Sequence, residues 1–217
     1  MGRLIESLSP AYGLEIAGIL DIDNNAGGSA LASPPAADVA IEFSTAEATV
    51  QNLPLLARHG INIVVGTTGW NAHEPELRRI VAETQVGVVA ASNFSLGANL
   101  FQGIVEYAAK QFARQADYGA WIYEAHHAAK KDAPSGTAVT LRAAMERVGY
   151  TRGVDVSSTR AGSIPGTHVV GFDGSSDTVT LTHTNRDRGA FARGALEAAR
   201  WVVGRRGWFG MKDVLGV

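Results

Sequence analysis

The chain has 217 residues, 46% hydrophobic and 18% charged, and its nineteen basic and twenty-one acidic side chains leave a net charge of −2. That is enough chain for one large domain or two smaller ones, and the composition argues against disorder, a basic nucleic-acid module or a membrane partner, no apolar run approaching the roughly 20 residues a span needs. With no cysteine there is no disulfide framework or thiolate site, and without a signal-peptide pattern at the start the expected compartment is the cytoplasm.

In chain order, Met1–Ile5 opens already in a helix, and Leu14–Leu20 reads as a strand ending in Asp21. Asn24–Ala37, rich in Gly, Ala, Ser and Pro, reads as a loop. Val39–Phe43, Ile61–Val65 and Val86–Ala90 are short apolar runs of the kind buried on both faces of a parallel sheet. Between them lie two helices, Ala46–His59, closed by Gly60, and Ala72–Thr84. This is the alternation of βαβ units. Ala98–Ala113 reads as a helix, and after Tyr118 the character changes. Trp121–Glu124, Val154–Thr159, Thr167–Phe172 and Thr178–Thr184 read as strands, with a helix over Ser135–Val148. A last helix, Ala190–Val203, precedes an aromatic, Gly-rich tail. The expected fold is α/β: a Rossmann-like dinucleotide-binding domain followed by an α+β unit.

In such a sheet a ligand lies beyond the carboxyl ends of the strands. Asp21 ends one, where an acid can accept from a ribose hydroxyl; an Asx turn is the plainer alternative. Gly66-Thr67-Thr68-Gly69 ends a second, small and polar enough for a cofactor to lie against the backbone, and is otherwise a common tight turn. Ala91-Ser92-Asn93-Phe94 ends a third. Three consistent ends favour a dinucleotide. The strand and G-x-G-x-x-G loop that open such a fold are not in the sequence, so the domain is expected to be N-terminally truncated.

The densest chemistry is His126-His127-Ala128-Ala129-Lys130-Lys131-Asp132-Ala133-Pro134, running into Ser135-Gly136-Thr137. Imidazole exchanges a proton near neutral pH, and an ammonium holds a carboxylate or donates a proton. The free N–H groups at the start of a helix bind an anion. Taken singly, the histidine pair reads as structural, Lys130-Lys131 as a solvated surface pair, and Ser135 or Thr137 as an N-cap beside Pro134. Together they point to a site for a small dianion. Adjacent histidines lack the i, i+4 geometry of helical zinc motifs, and no metal is expected.

Glu124 through Ala138 resembles, at every fixed position, the E-x-H-H-x-x-K-x-D-A-P-S-G-T-A signature of the 4-hydroxy-tetrahydrodipicolinate reductase (dihydrodipicolinate reductase) family. Gly66–Gly69, Asn93-Phe94-Ser95, Arg160–His168, and Arg188 with Phe191-Ala192, Gly194-Ala195 and Trp201 support the resemblance, which covers essentially the whole chain. It implies reduction of the cyclic substrate to tetrahydrodipicolinate with NADH or NADPH, in diaminopimelate and lysine biosynthesis. Residues 1–96 with 188–217 would bind the dinucleotide; residues 97–187 would bind the dicarboxylate substrate and assemble a homotetramer. His126 would be the catalytic acid/base and Lys130 the proton donor. His127, Ser135, Gly136 and Thr137 would bind substrate. Met1, Asp21, Gly66, Thr67, Thr68, Ala91, Ser92, Asn93 and Phe94 would contact the cofactor.

Two departures carry expectations of their own. Met1-Gly2-Arg3 matches the end of the family's glycine-rich loop, which suggests an internal start or a fragment. Ile22 stands where many members have an arginine for a 2′-phosphate, which favours NADH. The competing reading is a non-catalytic fragment that keeps the substrate and oligomerisation domain but binds dinucleotide poorly. A different dinucleotide oxidoreductase, such as a dicarboxylate or amino-acid dehydrogenase, is disfavoured by the His-His-to-Ser-Gly-Thr block.

Overall fold

Short runs of buried β-branched residues organise Met1–Leu96 and Gly189–Val217, one of two units into which the 217 residues of the computed structural model divide. The other is Gly97–Arg188. In chain order the elements are α1 (Gly2–Leu8), β1 (Val39–Glu42), α2 (Ala46–Arg58), β2 (Asn62–Val65), α3 (Glu74–Ala82), β3 (Gly87–Ala90), α4 (Leu96–Phe112) and β4 (Gly119–His126). They continue with α5 (Gly136–Arg147), β5 (Val154–Arg160), β6 (Thr167–Asp173), β7 (Thr178–Thr184), α6 (Gly189–Val202), β8 (Gly207–Phe209) and α7 (Met211–Leu215). No helix is long and apolar enough to cross a membrane.

The first unit is a parallel sheet in the order β1-β2-β3-β8. Side chains alternate across it. Ile63, Val65 and Val88 pack with Leu53 and Leu56 of α2 and Leu77 and Val81 of α3. Val64 and Val89 face the opposite layer, where Ala195, Leu196, Ala199 and Val202 of α6 meet Ile5 of α1. Helices on both faces explain why these strands read as unbroken apolar runs. Thr45 starts α2, its hydroxyl accepting from the Ala48 amide at 3.2 Å, and Gly60 turns the chain out of it at φ +74.

Residues Leu14–Leu20 are not a strand, contrary to the sequence reading. They are irregular and exposed, with Ile16 at 46% and Ile19 at 55%. A strand needs a neighbour for its N–H and C=O groups, and β1, at the sheet edge, takes no ladder from them. Asp21 therefore does not end a strand: its Oδ1 accepts from the amides of Asp23 (3.0 Å) and Asn24 (3.2 Å), an Asx turn. Within the presumed loop, Ala26–Ala32 forms 3₁₀ turns that drive Leu31 into the core, 1% exposed. The tail holds β8, three residues long and too short to show a period.

In the second unit β4 is central, parallel to β5 and antiparallel to β6, which carries β7 on its other side. Ile122, Val170 and Phe172 pack against Phe101 and Val105 of α4 and Leu141 and Met145 of α5. On the opposite face the Trp121 ring lies over Gly171, its cross-strand partner.

The tightest backbone approach in the first unit is at Gly194 of α6. A Cβ built there would sit 1.7 Å from the Phe94 carbonyl oxygen. Gly194→Ala should cost about 1–3 kcal/mol by overpacking, read as a lowered urea midpoint. Gly103→Ala, on α4 with nothing within 4 Å of the new methyl, should instead gain about 0.5–1 kcal/mol. Equal effects of the two would refute the packing argument.

Candidate active site

A glutamate on an inward-facing strand position organises the second unit's polar cluster. Ala120 and Ile122 point into the core from β4, and Glu124, next in that alternation, is wholly buried. Arg160 answers it. The β4–β5 register pairs His126 with Arg160, and the guanidinium grips Glu124 bidentately, Nη2 to Oε1 at 2.7 Å and Nη1 to Oε2 at 2.9 Å. The Ser135 amide donates to Oε1 at 3.2 Å, and His126 bonds Oε2 through Nδ1. Burial alone would raise the Glu124 carboxyl, but the hydrogen bonds from Arg160, Ser158, His126 and Ser135 outweigh it and hold it at about 2.

His126 ends β4 with its side chain 13% exposed. Burial pushes its pKa down; Glu124 opposes this, while Lys130 and Arg160 add to it. Beside it lies His168 of β6, with ring centroids 5.1 Å apart. Burial, then the neighbouring His126, lowers His168 to about 4. Its Nε2 is 3.0 Å from Ser135 Oγ. That oxygen also accepts from the Ala138 amide at 3.3 Å, so Ser135 caps α5. A neutral His168 accepting the hydroxyl proton satisfies both partners.

The loop from His127 to Pro134 leaves the strand end and returns to the start of α5. Arg160 Nη2 also donates to the Asp132 carbonyl, at 2.6 Å, fixing the loop from below. Lys130 Nζ sits 2.7 Å from Asp132 Oδ1. The same carboxylate is hydrogen-bonded by the backbone of Gly136, and its pKa falls, chiefly through Lys130. Ammonium and helix-start amide thus already hold one carboxylate. His127 is exposed, and Thr137 is half-buried one residue into α5.

The structure brings His126, Lys130, Ser135 and Gly136 into this one network. Ser135 is spent internally, as a cap and a partner of His168. Sequence reading left three of the network's members without these roles: Glu124, His168 and the ion-pairing function of Arg160. The signal was available in the alternation, because Glu124 follows Ala120 and Ile122 inward, and His168 precedes Val170 and Phe172 on the same face. Glu124, His126 and His168 offer ligand atoms within 4.8 Å of one another, but Arg160 already supplies the cation that Glu124 faces.

In the first unit the other expected residues cluster less evenly. Thr67, Thr68, Ala91 and Ser92 line a cleft of about 280 Å³ beyond β2 and β3, walled by Trp70 and Trp208. Thr67 Oγ1 accepts the Ser44 amide at 2.9 Å, and its carbonyl takes Trp70 Nε1 at 2.7 Å. Gly66 is small because the Phe43 ring occupies the place of its Cβ. Asn93 Oδ1 holds the Ser95 amide at 2.8 Å. Phe94 is 1% exposed and packs in the core against Phe43, so its ring is not a ligand surface. Met1 packs against the α6 layer, and Asp21 stays in its exposed turn. The cleft's small, polar strand-end residues suit a dinucleotide.

The family models "Dihydrodipicolinate reductase, N-terminus" and "Dihydrodipicolinate reductase, C-terminus" match residues 6–94 and 97–215. The chain belongs to the dihydrodipicolinate reductase family. Among curated members, the 4-hydroxy-tetrahydrodipicolinate reductase of Methanoculleus marisnigri is 42% identical over 195 residues, covering 83% of this chain and 76% of that protein. The Archaeoglobus fulgidus reductase is 34% identical and covers 99% of this chain and 95% of its own. The dipicolinate-bound dihydrodipicolinate reductase of Paenisporosarcina sp. TG-14 shares the fold, with TM-score 0.75 over 96% of this chain and 84% of that one, at 21% identity. The Glu124–Ala138 block that carries the resemblance is the stretch that folds around Glu124.

The shifted groups set the acid stability of the cluster. His168 is lowered, so its contribution is complete above pH 6.5 and is lost as pH falls toward 4. The groups facing it are His126, Glu124, His183, Lys130 and Ser135. Glu124 adds a separate loss between pH 4.5 and about 2. The unfolding free energy of wild type minus that of His168→Gln should fall by about 3 kcal/mol between pH 7 and 4. A difference curve flat in that window would contradict the buried neutral imidazole.

Proposed function

We propose that this chain reduces 4-hydroxy-tetrahydrodipicolinate (dihydrodipicolinate) to tetrahydrodipicolinate, in lysine and diaminopimelate biosynthesis, with NADH or NADPH. The observation that carries the reading is the carboxylate of Asp132, held between the Lys130 ammonium and the start of α5. It supports a site for a ligand carboxylate: one cation and helix-start amides, beside an imidazole. A cyclic dicarboxylate needs that set, and Gly136, Thr137 and His127 complete it on the same loop and helix.

Thr67, Thr68, Ala91, Ser92 and the backbone of Asn93 would hold the dinucleotide, which when bound supplies a hydride. The reduced substrate carries an enamine-like carbanion that must be protonated. Lys130 holds the proton at Nζ for that transfer. His126, neutral near pH 7 because of its lowered pKa, exchanges a proton at its ring nitrogen. Ser135 keeps the α5 amides aimed at the carboxylate by capping the helix. NADH is the favoured dinucleotide: Asp21 is an anion that repels a 2′-phosphate, and Ile22 offers no compensating cation. That preference rests on residue chemistry alone, since the segment bearing them forms no strand.

Assembly as a homotetramer is part of the proposal, through the sheet face that carries Trp121, Tyr123 and Val169, half-buried opposite the helices. Sedimentation should give four times the 22.8 kDa chain mass, and Tyr123→Glu should yield smaller species. A monomer from the unmutated chain would end that part of the reading.

The decisive assay is turnover of 4-hydroxy-tetrahydrodipicolinate with each dinucleotide. Lys130→Ala should lower kcat by about 10²–10⁴-fold while dinucleotide affinity holds, and kcat/KM should be higher with NADH than with NADPH. Near-normal turnover by Lys130→Ala would sink the assigned role, and no turnover by the unmutated chain would sink the function.

A further inference from the structure

The pairing of Glu124 with both Arg160 and His126 has a consequence for the reactive atom. Every hydrogen-bonding position on the carboxylate is used. Oε1 accepts from Arg160 Nη2 and the Ser135 amide, and Oε2 accepts from Arg160 Nη1 and meets His126 Nδ1. Besides the imidazole, the partners are donors: two guanidinium N–H groups and the Ser135 backbone amide, which cannot invert, and the Ser158 hydroxyl, which lowers the carboxyl by donating to it. The imidazole is the one partner whose tautomer is open. A carboxylate that is ionised and saturated with donors accepts from the ring as well, so Nδ1 carries the proton. The far edge of the ring, Cδ2 and Nε2, faces Gly166, where a Cβ would lie 3.3 Å from both atoms. No protein group bonds Nε2.

We propose that Glu124, clamped by Arg160, is the positioning residue for His126: it fixes the neutral ring as the Nδ1–H tautomer and leaves Nε2 as the atom that takes and gives the proton. Gly166 keeps that edge clear. Arg160 acts through Glu124, holding the carboxylate ionised and in plane, and it ties the same anchor to the Lys130 loop through the Asp132 carbonyl. The inference rests on the reductase reading for its kinetic consequence but not for its structural one.

The geometry also dictates what the isosteric amide would do. In Glu124→Gln the carbonyl oxygen is favoured at the Oε1 position, where two fixed donors, the Ser135 amide and Arg160 Nη2, meet it, over the Oε2 position, where only one, Arg160 Nη1, does. The NH₂ then falls at the Oε2 position, gives up the Arg160 Nη1 bond and donates to His126 Nδ1. The tautomer inverts to Nε2–H, and the reactive nitrogen is blocked.

Long-range ¹H–¹⁵N correlation spectra of the full-length, histidine-labelled protein without ligand, at a pH where His126 is neutral, provide the test. The wild type should show a protonated Nδ1 and a bare Nε2 at His126, and Glu124→Gln should show the reverse. Arg160→Lys, which keeps the carboxylate charged, should retain the wild-type tautomer. In turnover assays Glu124→Gln should lose about 10²-fold or more in kcat with dinucleotide binding unchanged. An Nε2–H or averaged tautomer in the wild type overturns the proposal even if no variant folds. An unchanged tautomer in a folded Glu124→Gln also overturns it. An Nδ1–H wild type that fails to turn over the substrate would count against the reductase reading and leave the positioning intact.

Discussion

The second unit is arranged around one buried ion pair. Removing a carboxylate from water is costly, and a partner charge compensates only with good geometry and further hydrogen bonds. Glu124 and Arg160 meet both conditions: a two-pronged guanidinium contact, an amide from Ser135, an imidazole, and the backbone carbonyls of Asp132 and Thr159 for the second proton on each terminal guanidinium nitrogen. The price is one buried guanidinium nitrogen, Arg160 Nε, without a partner. Each contact ends on a different piece of chain, so β4, β5, the Lys130 loop and the first turn of α5 share an anchor. The proposed sites for proton exchange and for anion binding would thereby be set by the same two side chains.

Much of this was legible in the sequence, for identifiable reasons. β2 and β3 were visible because strands covered on both faces are apolar without interruption, and α2 because Gly60 closes it. The His126–Thr137 stretch was visible because its chemistry is dense along the chain. Leu14–Leu20 has the composition of a strand but no partner, and pairing is not a property a single segment can display. β8 lay below the length at which a pattern exists. Phe94 looked like part of a ligand surface because it follows a strand end; its ring instead fills the space between Phe43 and the α6 layer.

The residues that sequence reading passed over are those whose roles depend on register. Glu124 and Arg160 are 36 positions apart and meet because β4 and β5 run parallel with His126 opposite Arg160. His168 reaches Ser135 across the sheet from β6 in the same way. Charged or polar residues at inward positions of alternating strands are the available clue, since such positions are tolerated only when a partner is present.

Asp132 gives the proposed anion site a built-in rival. Its carboxylate is tethered a few residues from both groups that grip it, so it competes at a high effective concentration. A ligand carboxylate arriving there exchanges with an existing one and gains only the difference between the two. A molecule with a single carboxylate has little with which to win that exchange. One with a second anchoring group elsewhere on its ring does, so in the proposed site the loop would select for dianions by internal competition as much as by shape.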